Sequence, residues 1–263
     1  MRQNRALARW RAGEQTVGGW LMLSNTHVAE LMAHAGFDWI CVDMQHGLLD
    51  YADLRHMLPA ISTTDTTPLV RVGGHEPAAI MKALDAGAMG VIVPMINSRA
   101  EAVAAVAACR YPPLGQRSFG PIRAALYGGR GYASEANDQI ACIAMIETRE
   151  GIENLEEIVT TPGLGGVYIG PADLALALGF PPRLDADEPE HVATVRRIRE
   201  TCGRHGVPVG IHTSGTEATR ARLAEGFNFV TLGSDAGFMM EAAGAALGAV
   251  RSSDKLNPNR SGY

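Results

Sequence analysis

The feature that most constrains this chain is a repeated junction. A helical stretch closes on glycine and a short, almost wholly apolar run follows at once. It occurs as "AHAGFDWICV", "LDAGAMGVIV", "GLGGVYIG" and "LAEGFNFVTL". Glycine supplies the left-handed residue that ends a helix. An unbroken apolar run suits a strand covered on both faces, as in a parallel sheet. Eight such runs are present: 18–23, 39–43, 68–72, 90–94, 141–147, 166–170, 208–213 and 227–233. Between them lie helix candidates such as "HEPAAIMKALDAG", "SRAEAVAAVAACR" and "TEATRARLAEG". Eight strand–helix units without a break in composition predict a (β/α)8 TIM barrel, an α/β fold. The 263 residues match the usual length of such a barrel, roughly 250. A doubly wound open sheet would carry a G-x-G-x-x-G loop after an early strand. "VGGHEP" after the third run lacks that spacing. The reading is one barrel domain over 1–251 and a disordered tail over 252–263. Residues 110–140, rich in Gly, Pro and Arg, are expected to form one long loop, either functional or mobile.

Composition removes several classes of partner. The formal charge is −5 and no dense Lys/Arg block occurs, which argues against nucleic acid. No apolar run nears the ~20 residues of a membrane span. The basic start, "MRQNRALARWRAGEQ", lacks the apolar stretch of a secretory signal. A soluble, cytoplasmic protein acting on small molecules is expected. Cys41, Cys109, Cys142 and Cys202 have no metal-ligand spacing and read as small buried hydrophobes.

In a barrel the active site gathers at the C-terminal strand ends. There the sequence puts Asp43 and His46 (second strand), Arg71 (third), Glu147 (fifth), Asp173 (after the sixth) and His212 (seventh). Each has an ordinary reading alone: a cap for Asp43, a structural role for Arg71, a helix-dipole partner for Glu147 or Asp173. Together they form a site. His27, His34, His56, His75, His191 and His205 read as surface or packing residues. Two carboxylates without Cys ligands suit a hard cation, Mg2+ or Mn2+, with Co2+ a further candidate. Such a cation would bind a 2-keto acid, polarise its ketone and stabilise an enolate. Arg71 would add positive charge at the enolate oxygen. Backbone amides of the segment "GPAD" would hold the substrate carboxylate. His46, oriented by Asp43, would move the proton. A Schiff-base route needs a lysine at the mouth. The chain has only Lys82, within a helix, and Lys255, in the tail.

The segments "GFDWICVDMQHG", "PLVRVGG", "IMKALDAGAMGVIVPMINS", "RYPPLGQRSFG", "MIETREGIENLEEI" and "GVYIGPADLALALG" resemble the HpcH/HpaI aldolase family over roughly residues 15–250. Its members are metal-dependent, class II pyruvate aldolases, among them 4-hydroxy-2-oxoheptanedioate aldolase and 2-keto-3-deoxy sugar-acid aldolases. The resemblance implies a lyase that splits a 4-hydroxy-2-keto acid into pyruvate and an aldehyde. It implies His46 as base, Arg71 as enolate stabiliser, and Glu147 and Asp173 as metal ligands. Asp85 would raise the basicity of the histidine, although its sequence context alone reads as a helix surface. Gly170, Pro171 and Ala172 would contact substrate, Ala172 through its amide, with Met145 and His212 nearby. A hexamer, a trimer of dimers with exchanged C-terminal helices, is also implied; "GFMMEAAGAALGAV" would then be an interface. Gln45, Met145 and His212 stand where members often carry Glu, Gln and an apolar residue, which leaves the aldehyde open. The loop of Arg117, Ser118 and Phe119 is expected at the same mouth or against a neighbouring subunit. Two alternatives keep the barrel: an acyl-CoA lyase, with Arg110, Arg117, Arg123 and Arg130 holding phosphates, or a 2-keto acid decarboxylase. A non-catalytic metabolite-binding barrel is the third.

Overall fold

The computed structural model describes residues 1–255. In chain order the elements are α1 (Arg5–Arg11), β1 (Thr16–Leu21), α2 (Thr26–His34), β2 (Trp39–Asp43), α3 (Tyr51–Ile61), β3 (Thr67–Arg71), α4 (Pro77–Asp85), β4 (Gly90–Val93), α5 (Arg99–Cys109), α6 (Ile122–Gly128), α7 (Tyr132–Gln139), β5 (Ala141–Ile146), α8 (Arg149–Glu153), α9 (Leu155–Val159), β6 (Gly166–Ile169), α10 (Pro171–Leu178), α11 (Pro189–Arg204), β7 (Val209–Ile211), α12 (Thr216–Ala224), β8 (Phe229–Ser234) and α13 (Asp235–Lys255). The eight strands pair in sequence order, all parallel, and β8 returns to β1 to close the barrel. All eight expected strands are present. At the repeated junctions Gly36, Gly87, Gly163 and Gly226 take positive φ, the conformation that a side chain would strain.

Strand alternation builds two cores. One lies between the strands and the surrounding helices, with Ile40, Val42, Val70, Val91 and Val167 facing outward. The other fills the lumen: Trp20, Trp39, Cys41, Leu69, Ile92, Ile143, Met145, Tyr168 and Phe229. The lumen is tightly packed because glycines face its largest rings. A Cβ on Gly18 would lie 2.2 Å from the Trp39 ring, and one on Gly210 2.3 Å from Phe229. At the N-terminal end α1 closes the lumen, and Trp10 stacks on Phe229 with centroids 4.2 Å apart. That helix was not expected from the sequence.

Two further expectations change. The 110–140 segment is not one loop, because it contains α6 and α7. Residues 252–255 of the expected tail continue α13, and residues 256–263 lie outside the described residues. The start of α13 is tied to the barrel, where Asp235 accepts the amides of Met22 and Leu23 at 2.9 and 3.1 Å. From Met239 to Arg251 every residue of this helix is exposed.

Candidate active site

The same alternation that places Cys41, Leu69 and Met145 in the lumen puts Asp43, Arg71 and Glu147 one step further toward the C-terminal rim. There a cavity of about 320 Å³ opens, lined by Trp20, Asp43, His46, Arg71, Met145, Gly170, Pro171, Ala172, Asp173 and His212, with Met22, Leu184, Thr213, Ser214, Gly233 and Ser234 around them. The expected strand-end residues thus converge, save Glu147, and Asp85, expected on a helix, does not line the cavity either. Glu147 lies just behind Gly170, and Asp85 is elsewhere.

Asp43 and Arg71 are register partners on β2 and β3. Their side chains form a two-pronged ion pair, Nε to Oδ1 at 2.8 Å and Nη2 to Oδ2 at 2.5 Å. Trp20 Nε1 also donates to Asp43, and its ring lies 5.1 Å beneath the guanidinium. Burial alone would raise the Asp43 carboxyl. The bonds and charge of Arg71, with the Trp20 N–H and the Gln45 amide, hold it below the ordinary carboxylate range. Arg71 is held firmly cationic by the same carboxylate despite its own burial. Asp43 accepts the backbone amides of Gln45 and His46 at 3.1 and 3.3 Å. It therefore fixes the turn that carries His46 and does not bond the imidazole. The expectation that it orients the ring is corrected on that point. His46 is exposed at the rim of the cavity.

Glu147 is 2% exposed. Its Oε1 accepts the Met95 amide at 3.0 Å, and Met95 has a left-handed backbone, φ 53°. Its Oε2 is buried with no hydrogen-bond partner. A Cβ on Gly170 would lie 2.1 Å from that oxygen, so only glycine fits beside it. Burial first, then the negative charge of Asp173, raises the Glu147 carboxyl to about 7 against the opposing Met95 bond and Arg71 charge. Asp173 is exposed in the first turn of α10. A buried carboxylate oxygen without a donor, within the field of a second carboxylate, calls for a proton or a cation. The pair therefore fits a hard divalent ion. Among the described residues no group of three or more His, Cys, Asp or Glu could hold a metal. The ion would rest on two carboxylates, and its remaining positions would be open to water or substrate oxygens.

His212 follows β7, the strand beside β6, and lines the same cavity. Its Nδ1 meets the Tyr168 hydroxyl at 3.2 Å, and that hydroxyl also bonds Thr231 Oγ1. Its ring meets Trp20 edge-on at 4.8 Å. Burial first, then the charge of Arg71, lowers its pKa to about 4, so the imidazole is neutral at physiological pH.

Asp85 does not join this group within one chain. It ends α4, at the end of the barrel where β4 begins, and binds Arg117 at 2.7 Å. The loop of Arg117, Ser118 and Phe119 lies at that end too, not at the mouth. Arg117 is buried against the rings of Tyr111 and Tyr132. Arg110 bonds the Gly163 carbonyl, and Arg123 bonds Ala86 O and Ser62 Oγ. These arginines make no phosphate-binding patch at the cavity. Sequence reasoning missed Trp20, Met95, Tyr168 and Thr231. Trp20 was legible as a lumen-facing position of β1; the others depend on tertiary contacts.

The HpcH/HpaI aldolase/citrate lyase family model matches residues 16–242. The chain is 42% identical over 240 residues to a hydroxypyruvate/pyruvate aldolase of Rhizorhabdus wittichii, covering 91% of this chain and 96% of that one. It is 38% identical over 240 residues to a 2-dehydro-3,6-dideoxy-6-sulfogluconate aldolase of Pseudomonas putida, covering 89% and 92%. Among solved structures it is similar to an HpcH/HpaI aldolase/citrate lyase family protein of Burkholderia cenocepacia J2315, with TM-score 0.89, 36% identity, and coverage of 95% and 100%. Among the described residues no helix is long and apolar enough to cross a membrane.

Proposed function

The chain belongs to the HpcH/HpaI aldolase/citrate lyase family, and from that premise we propose that its barrel mouth reversibly splits a 4-hydroxy-2-keto acid into pyruvate, or a related 2-keto acid, and an aldehyde. The enzyme is a carbon–carbon lyase of the aldolase kind. Two relatives named as aldolases of keto acids support the substrate class. The observation that carries the reading is the unpartnered Oε2 of Glu147, buried behind Gly170 next to the mouth that Asp173, Arg71 and His46 line.

Glu147 and Asp173 would hold a divalent cation, Mg2+ or Mn2+. Bound there, it supplies Lewis-acid polarisation of the 2-keto group. Arg71 is pinned by Asp43 through Nε and Nη2 and lies over the Trp20 ring at the cavity. Its fixed charge favours the negative oxygen that develops as the C3–C4 bond breaks. His46, at the rim, takes the proton of the 4-hydroxyl as the aldehyde forms. C3 then takes a proton and the keto acid leaves. Orphan amides in the first turn of α10, with Ala172 foremost, suit the substrate carboxylate. Met145 and His212 border the substrate, His212 on the aldehyde side.

A hexamer belongs to this reading. The exposed Met239, Met240 and Leu247 of α13, and Phe119, Ile122 and Leu126 at the other end, are apolar surface suited to copies of the same chain. Asp85 enters the chemistry only through a neighbouring copy. A cytoplasmic location is proposed too, supported by four free, buried cysteines. Removal of metal tests the core of the proposal. Dialysis against EDTA should abolish pyruvate release from a 4-hydroxy-2-keto acid, and Mg2+ or Mn2+ should restore it. Unchanged turnover in EDTA overturns the reading.

A further inference from the structure

His191 sits at the third position of α11 and is fully buried. Its Nε2 lies 3.0 Å from the carbonyl oxygen of Pro171. A carbonyl only accepts, so Nε2 carries the hydrogen and donates. Nδ1 is buried with no partner. An apolar side chain would fill this place without leaving a polar atom unmatched, so packing alone gives no reason for an imidazole.

What the bond reaches gives one. Pro171 is the first residue of α10, and the next two residues are Ala172 and Asp173, both on the cavity. The residue before it, Gly170, is pressed against Glu147. A Cβ there would meet Oε2 at 2.1 Å and Met145 Cε at 2.7 Å. The first turn of α10 is thus wedged between Glu147 on the inside and His191 on the outside. Glu147 is itself fixed by the Met95 amide. The spacing of the two carboxylates then depends on where α10 begins, and His191 holds that point from behind.

We infer that His191 is a positioning residue for the Glu147–Asp173 pair, acting through the Pro171 carbonyl. This rests on the cation reading above. With two protein carboxylates and no third ligand among the described residues, their spacing is the protein's main hold on the ion. Loss of such an outer support commonly costs about 10- to 100-fold in metal affinity.

The experiment measures Mn2+ binding to metal-stripped full-length protein, without substrate, by the paramagnetic resonance signal of free Mn2+. The chains compared are wild type, His191→Leu, His191→Gln and His191→Asn. Leu fills the space without a donor. Gln carries an N–H at about the reach of Nε2, and Asn falls short of it. Expected is a 10- to 100-fold weaker affinity for Leu and Asn, and an affinity within about threefold of wild type for Gln. A merely structural role would lower melting temperature across the variants without separating Gln from Asn. Equal Mn2+ affinity in wild type and His191→Leu overturns the inference. Should the Leu chain not fold, equal weakening in Gln and Asn overturns it as well. Wild-type protein that binds no Mn2+ overturns the cation reading itself, and the inference with it.

Discussion

Glu147→Gln in metal-free protein should make the fold more stable at pH 8. The wild-type carboxylate is buried beside Asp173, and its pKa is raised from 4.5 to about 7. The folded chain therefore binds this proton more tightly than the unfolded chain. The associated stability is fully present below about pH 4.5 and is lost as pH rises through 7. A rise of that size corresponds to about 3 kcal/mol. In a chain of this length that is on the order of 10 °C in melting temperature. The glutamine carries no charge and still accepts the Met95 amide through its carbonyl oxygen. Its new N–H groups lack assured partners, so about 3 kcal/mol is an upper figure for the gain. The assay is calorimetry in EDTA at pH 5 and pH 8. Wild type should melt lower at pH 8 than at pH 5, and the variant should lose this part of the difference. Mg2+ added at pH 8 should raise the wild-type melting point and leave the variant's where it was. A variant less stable than wild type at pH 8, or one that keeps the full wild-type pH slope, refutes the argument.

Other substitutions separate the roles at the mouth. His46→Ala should lower kcat for pyruvate release by about 10²-fold or more, with melting temperature nearly unchanged because the side chain is exposed; a wild-type rate removes it as the base. Asp43→Ala leaves the Arg71 guanidinium buried and unpaired, and should cost about 3–5 kcal/mol in denaturant unfolding; a loss below about 1 kcal/mol would mean that water replaces the carboxylate. His212→Leu removes a neutral polar group from the aldehyde wall. The kcat/KM for a hydroxylated aldehyde should fall about tenfold relative to its unsubstituted counterpart, measured with pyruvate in the condensation direction. Equal effects on both aldehydes would remove His212 from recognition.

The strands were legible because burial on both faces leaves a compositional mark, and "WICVD" or "GVIV" can hardly be anything else inside a soluble chain. The strand-end residues were legible for a related reason. A charged side chain two positions beyond Cys41, Leu69 or Met145 must leave the lumen core at its rim, where every strand of a barrel delivers to one place. What failed was reading partnership from sequence proximity. Asp43 and His46 stand three residues apart and suggested a dyad. The carboxylate is instead claimed by Arg71, twenty-eight residues away, through the β2–β3 register, and only the backbone of His46 returns to it. The same limit hid α6 and α7. In α6 the large apolar residues Ile122 and Leu126 are exposed in the single chain and give no inward stripe, and α7 turns only Tyr132 and Ala136 inward. Asp85 shows the converse. Its motif pointed to the mouth, but a helix that follows a strand runs back toward the opposite end, and Asp85 is that helix's last residue. Motif order identifies the groups a barrel rim will collect. Which of them touch is decided by register and by the neighbouring elements that press on them, as α11 presses His191 on Pro171.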